Sequence, residues 1–154
     1  MGIDGNNMKS YVMSCMYKAS TGITQAIFVT IGIGILFESI GKLTGLNQMV
    51  IIGTVSKVLM APAIGCGIAY MLGASGLVVF AAMVASAFGG GAIQAGEYGI
   101  MIVYGEPVGA ILAGLFAVYI GKRITGETPL DLMAVPILSI GISSFVGIWL
   151  ANII

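Results

Sequence analysis

The sequence predicts an all-α fold, a polytopic bundle of about five transmembrane helices with one or two of them broken or re-entrant. Three observations carry that prediction. Hydrophobic residues make up 58% of the chain and charged residues 8%, where an ordinary soluble domain gives about a quarter of its positions to charge. Mean hydropathy is +1.09, which leaves too little polar surface to cover an apolar core in water. The apolar residues also gather into long runs separated by short turns, and each run approaches the ~20 residues a helix needs to cross a ~30 Å hydrocarbon layer.

The elements follow in order. Met1 to Asn7 is polar and Gly-rich and lacks the regions of a signal peptide, so the N-terminus is expected to remain in place. In Met8 to Ala19, apolar Met8, Tyr11, Val12, Cys15, Met16 and Ala19 recur at helical spacing, with Lys9, Ser10, Ser14 and Lys18 elsewhere. This pattern predicts a short amphipathic helix on the membrane surface, within a leader of residues 1–21. Met13 and Tyr17 interrupt its polar face, and a frayed leader is the alternative.

Residues 22–154 form the transmembrane domain. Its expected spans are Gly22 to Gly41, Met49 to Leu72, Ser75 to Ile93, Ile100 to Ile120 and Leu130 to Ile154. Turn chemistry fills the breaks: Lys42 to Asn47, Gly73-Ala74, the stretch around Gly89-Gly90-Gly91, and Gly121 to Glu127. The fifth start is the best marked, with Thr128 to cap, Pro129 at the first helical position and Asp131 three residues after the cap. Lys9, Lys18, Lys122 and Arg123 fall on one side of a five-span topology, which the positive-inside rule makes cytoplasmic, together with the N-terminus. One crossing more or fewer between Gly89 and Glu106 would move the C-terminus to that side. Most of the 24 glycines are read as helix-packing positions, Gly105-x-x-x-Gly109 among them.

The same residues exclude several functions. Six acidic and six basic residues cancel, so no bulk charge favours nucleic acid. With no histidine and only Cys15 and Cys66, there is no His/Cys metal site, no Ser/His/Asp or Cys/His nucleophile and no disulfide framework. The two thiols are read as small apolar fillers, with a Cys15–Cys66 pairing as the alternative. No phosphate-binding loop or dinucleotide fingerprint is present, and no cofactor or catalytic residue of the chain's own is expected.

Ionisable side chains at membrane depth are costly, and each is a functional candidate. Here they are Glu38, Lys57 and Glu106, with Glu97 close by. A helical hairpin would bring Glu38 and Lys57 to similar depth, as a structural ion pair or a site; Lys42, four residues after Glu38, is an alternative partner. Gly89 to Gly99 is too Gly-rich for a quiet helix and holds Gln94 and Glu97. Pro107 then interrupts the fourth span. Either that span is kinked in its first third, or Ile100 to Val103 is the tip of a re-entrant hairpin and a shorter helix begins at Pro107. Pro62 is expected to interrupt the second span similarly. Broken helices expose carbonyls and helix ends to substrates in transporters, and ordinary proline kinks in a packed bundle are the alternative.

These residues carry a family likeness. The run Ala61-Pro62-Ala63-Ile64-Gly65-Cys66-Gly67-Ile68-Ala69, then Gly105-Glu106-Pro107-Val108-Gly109-Ala110, then Gly121-Lys122 with Gly126, Thr128 and Asp131, resembles the type-2 EIIC-like membrane proteins of the phosphoenolpyruvate-dependent sugar phosphotransferase system. That group includes proteins labelled regulators of perfringolysin production. The likeness runs from about Ile31 to Leu150 and covers an N-terminal half of longer family members. Ala61 and Glu106 stand where the family more often has Gly. The resemblance implies a membrane subunit that binds a sugar or similar small solute while cytoplasmic IIA and IIB proteins supply the phosphoryl group. At most, then, the chain is the membrane part of a sugar phosphotransferase.

Gln94, Glu97 and Glu106 are the expected substrate contacts, with Lys57 and Glu38 as a supporting pair. Expected partners are the bilayer and a second copy or a complementary membrane half. A non-transporting sensor and an oligomeric channel are the rival readings. Alkaline extraction of cell membranes is expected to leave the chain in the pellet, with release only by detergent; recovery in the soluble wash would contradict the membrane reading.

Overall fold

The computed structural model describes residues 5–125 and 131–153. Within them the chain is an α-helical membrane bundle with one short β-hairpin. The elements are α1 (Gly5–Ile27), a π-helical turn (Phe28–Gly32), α2 (Ile33–Thr44), α3 (Asn47–Val58), α4 (Met60–Met71), α5 (Gly76–Gly89), β1 (Ile93–Gly96), β2 (Gly99–Ile102), α6 (Pro107–Ile124) and α7 (Asp131–Ile153).

The core lies among α4, α5, α6 and α7, with α1 laid across α4. Many of its residues are small: Ala61, Ala69, Ala82, Ala85, Ala110 and Ala117 are fully buried, beside Ile64, Ile68 and Val78. Hydrocarbon gives helices no hydrophobic reason to associate, so close backbone approach and dispersion must hold them. A Cβ placed on Gly114 would stand 2.7 Å from Ser86 Oγ, and one on Gly121 would stand 2.7 Å from Val78. Two serines tie the same seam, as Ser86 Oγ donates to Ala110 O (2.8 Å) and Ser139 Oγ donates to Ala117 O (2.8 Å). The outside is apolar: Phe145 is 76% exposed and Phe80 65%, as a lipid-facing surface requires.

The helix ends explain where the expected spans were misplaced. The surface helix expected over Met8 to Ala19 continues into the first span, and with the π-helical turn inside it the helical run extends from Gly5 to Thr44. Nothing between them stops it, since Thr21 and Thr24 hydroxyls turn back onto Tyr17 O and Ser20 O (both 2.9 Å). At 40 residues it is about 60 Å long, well beyond the hydrocarbon. The second span is bent by 55° between α3 and α4. The break falls at Leu59, one turn before Pro62, because the proline ring excludes the carbonyl four residues earlier, that of Val58.

Both α4 and α5 end in the same motif. Ala74 N donates to Ala69 O and Gly73 N to Tyr70 O (both 3.0 Å); Ala92 N donates to Ala87 O (3.0 Å) and Gly91 N to Phe88 O (2.9 Å). The closing residues, Gly73 (φ 68°) and Gly91 (φ 64°), are left-handed, a conformation that glycine adopts without strain. This is why the third helix stops at Gly89 and not at the expected Ile93. At 14 residues it spans about 21 Å. The fourth helix starts at Pro107, at the first helical position that suits proline. Ile100 to Ile102 is not a hairpin tip but the second strand of the antiparallel pair Ile93↔Ile102 to Gly96↔Gly99, whose tip is Glu97-Tyr98. The Thr128-Pro129 start expected for the fifth span lies outside the described residues.

α2 and α3 stand apart. They pack on each other through Gly34, Gly41 and Gly53, their buried residues, and supply none of the core. The arm they form joins the bundle at the π turn and at the Leu59 break, which lie side by side.

The packing makes a stability prediction. Gly114→Ala forces a methyl group against Ser86 and should cost about 1–3 kcal/mol, read as a lower melting temperature in detergent. Gly141→Ala, where a Cβ meets nothing within 4 Å, should be neutral or raise stability by up to about 1 kcal/mol.

Candidate functional site at the interrupted helices

The two interruptions meet. A Cβ on Gly105 would lie 2.9 Å from both Ala61 Cβ and Gly90 O, and one on Gly90 would lie 3.0 Å from Ala61 Cβ. Glu106 N donates to Gly90 O (2.6 Å) and Val103 N to Ala92 O (2.8 Å). The end of α5 and the start of α6 are thereby closed into a crossover that rests on the first turn of α4. Small residues are obligatory there because three backbones converge.

A charged cluster adjoins this crossover. Glu38 on α2 accepts hydrogen bonds from Lys57 Nζ on α3 and, at 2.6 Å, from Lys42 Nζ. Both partners expected for Glu38 are thus engaged at once. Glu38 and Lys57 side chains are 19% and 20% exposed, whereas Lys42 is 64% exposed at the end of the arm. Pairing lowers the cost of holding charge at membrane depth. The Lys57 ammonium also lies 5.9 Å from the Tyr104 ring centroid, within cation–π range. Tyr104 directly precedes Gly105-Glu106, so Lys57 links the arm to the crossover. Sequence reasoning passed over Tyr104, since a cation–π contact across 47 positions leaves no local spacing to find.

The remaining expected site residues are spread along the hairpin. Glu106 is exposed at the N-cap of α6, and its side chain makes no capping bond. Gln94 lies on β1, where its amide donates to Gly91 O at 3.3 Å. Glu97 is exposed in the tip. With ~3.3 Å per strand residue, the tip stands on the order of 15 Å beyond the hairpin base where Glu106 is anchored. The structure therefore brings Glu38 and Lys57 together with Tyr104 and separates Glu97 from Glu106.

Open grooves lie elsewhere. One of about 320 Å³ runs beside α1 past Cys15, Leu72 and Leu115, and another of about 270 Å³ opens on the other flank past Thr30 and Cys66. Neither includes a candidate site residue. Their walls are almost wholly apolar, as befits surfaces that lipid fills. Cys15 and Cys66 are free thiols.

Interrupted helices meeting a charged cluster, inside an apolar outer surface, define an α-helical membrane protein with a broken-helix centre. The family described as Phosphotransferase system, EIIC, matches residues 17–154, and the chain belongs to it. That membership places it in the membrane, in a transport role of the phosphotransferase system. No curated protein and no solved structure matches the chain.

The cluster makes a coupling prediction. Glu38→Gln strands the part-buried Lys57 and should lower the detergent melting temperature more than Lys57→Gln, which leaves Glu38 with Lys42, and more than the double variant. Additive losses would show that the pair contributes nothing as a unit.

Proposed function

We propose that this chain is the EIIC-like membrane subunit that binds and translocates a sugar or similar small solute in a phosphotransferase system. The observation that carries the reading is its family membership over residues 17–154. The phosphoryl group comes from cytoplasmic IIA and IIB proteins. Carboxylate and amide groups suit a polyol, because several oriented hydrogen bonds inside an apolar surround distinguish it from water.

Glu106 and Gln94, nearer the hairpin base, make the inner solute contacts. Glu38 and Lys57 support them through Tyr104. An isolated two-stranded hairpin has open edges that hydrocarbon does not tolerate. Water or protein must therefore surround Ile93 to Ile102, and a second copy or a complementary membrane half is the natural cover. Glu97, at the tip, reaches that neighbour's side of the site. The chain is multi-pass in the plasma (inner) membrane, with its N-terminus and the Lys122-Arg123 end in the cytoplasm.

Binding of a sugar panel to the purified protein in detergent, followed by calorimetry, tests the site. Glu106→Gln and Glu97→Gln should each weaken the responding sugar about tenfold, the worth of a hydrogen bond to a charged group. Unchanged binding in both variants would remove these carboxylates from the site.

A further inference from the structure

An apolar groove beside α1 ends in positive charge. Its walls include Tyr11, Ala19, Ile23, Leu72 and Leu115. Leu115 also belongs to a neighbouring groove of about 190 Å³ with Phe116 and Tyr119, so the two are continuous along α6. Leu115, Tyr119, Lys122 and Arg123 follow one another at helical spacing and form one stripe of that helix. Lys122 Nζ donates to Leu72 O (2.7 Å), which fixes an ammonium at the rim of the groove. The Arg123 guanidinium lies 5.7 Å from the Tyr119 ring centroid, on the same stripe. A trough of apolar side chains closed at one end by two cations is complementary to an amphiphile with an anionic head.

We propose that this surface is a binding site for an anionic phospholipid of the surrounding bilayer. One acyl chain lies along Leu115, Ile23 and Leu72, and the phosphate meets Lys122 and Arg123. The groove opens sideways, toward hydrocarbon, as the 62% exposure of Tyr119 and 43% exposure of Phe116 indicate. A bilayer lipid therefore enters without leaving the membrane. The lysine supplies a point charge and the arginine a fork that matches two phosphate oxygens.

Fluorescence quenching by brominated lipids tests the site. The full chain carries a single tryptophan, Trp149; in a Trp149→Phe background, Phe116→Trp places the probe in the groove. Reconstitution into mixtures of phosphatidylcholine and phosphatidylglycerol, with one or the other brominated, gives their relative association at the probe. Phosphatidylglycerol should be preferred, by about fivefold for each cation. The preference should fall in Lys122→Gln and in Arg123→Gln, survive in Lys122→Arg, and weaken as salt rises. Equal association of the two lipids in the parent, or a preference that persists in the Lys122→Gln/Arg123→Gln pair, overturns the proposal.

Discussion

Close approach between backbones is the constraint on which this structure rests. In hydrocarbon an exposed leucine costs nothing, so burying it against another helix gains little, and what remains is dispersion between surfaces that fit. That is why most buried positions of α4, α5 and α6 are alanine, glycine or serine, with Ile64, Ile68 and Val78 filling the space between them, and why Tyr70, Phe80 and Tyr119 are turned outward. Ser86 and Ser139 add directed bonds to carbonyls of α6 and fix the register of neighbours that could otherwise slide along smooth faces.

The same constraint permits the interruptions. A backbone that leaves helical geometry at membrane depth must find partners within the protein. Here the α5–α6 crossover supplies its own, through Glu106 N to Gly90 O and Val103 N to Ala92 O. It then rests on Ala61, in the first turn after the other break. Each interruption thus packs closely against the other. A larger residue at Gly90 or Gly105 would hold the three backbones apart.

Composition made the fold class legible, because it depends on the solvent and not on any single contact. A helix starting at Pro107, one of two readings of the fourth span, and Lys42 as an alternative partner of Glu38 were legible for a local reason: proline geometry and four-residue spacing act within one turn. Lys57, 19 positions from Glu38, was legible only through the expected helical hairpin. Boundaries set by left-handed glycine were not. Gly89, Gly90 and Gly91 look alike in sequence, and only the hydrogen bonds of Gly91 and Ala92 reveal which of them ends the helix. The hairpin was hidden for another reason. Ile100-Met101-Ile102 is a continuous apolar run with no alternation, and such a run reads as helix unless its pairing partner is known. The continuity of α1 with the first span escaped notice because an amphipathic stretch was taken to need its own boundary.

Among candidate site residues, separation along the chain is a poor guide to separation in space. Glu97 and Glu106 are nine positions apart, close enough in sequence to share a pocket, yet a hairpin turns those nine positions into a long excursion and return. Lys57 and Tyr104 are remote in sequence and adjacent in space. Their contact matters because α2 and α3 lie outside the core and leave the bundle at two adjoining interruptions, the π turn and Leu59. An arm held at two such points has few ways to orient itself by packing alone. The Lys57 ammonium, shared between Glu38 on the arm and Tyr104 on the crossover, supplies a directed tie between them. Any displacement of the arm that breaks this tie leaves Lys57 with Glu38 alone and frees the residue two positions before Glu106. Lys57 is thus the side chain through which the arm touches the residues leading into α6.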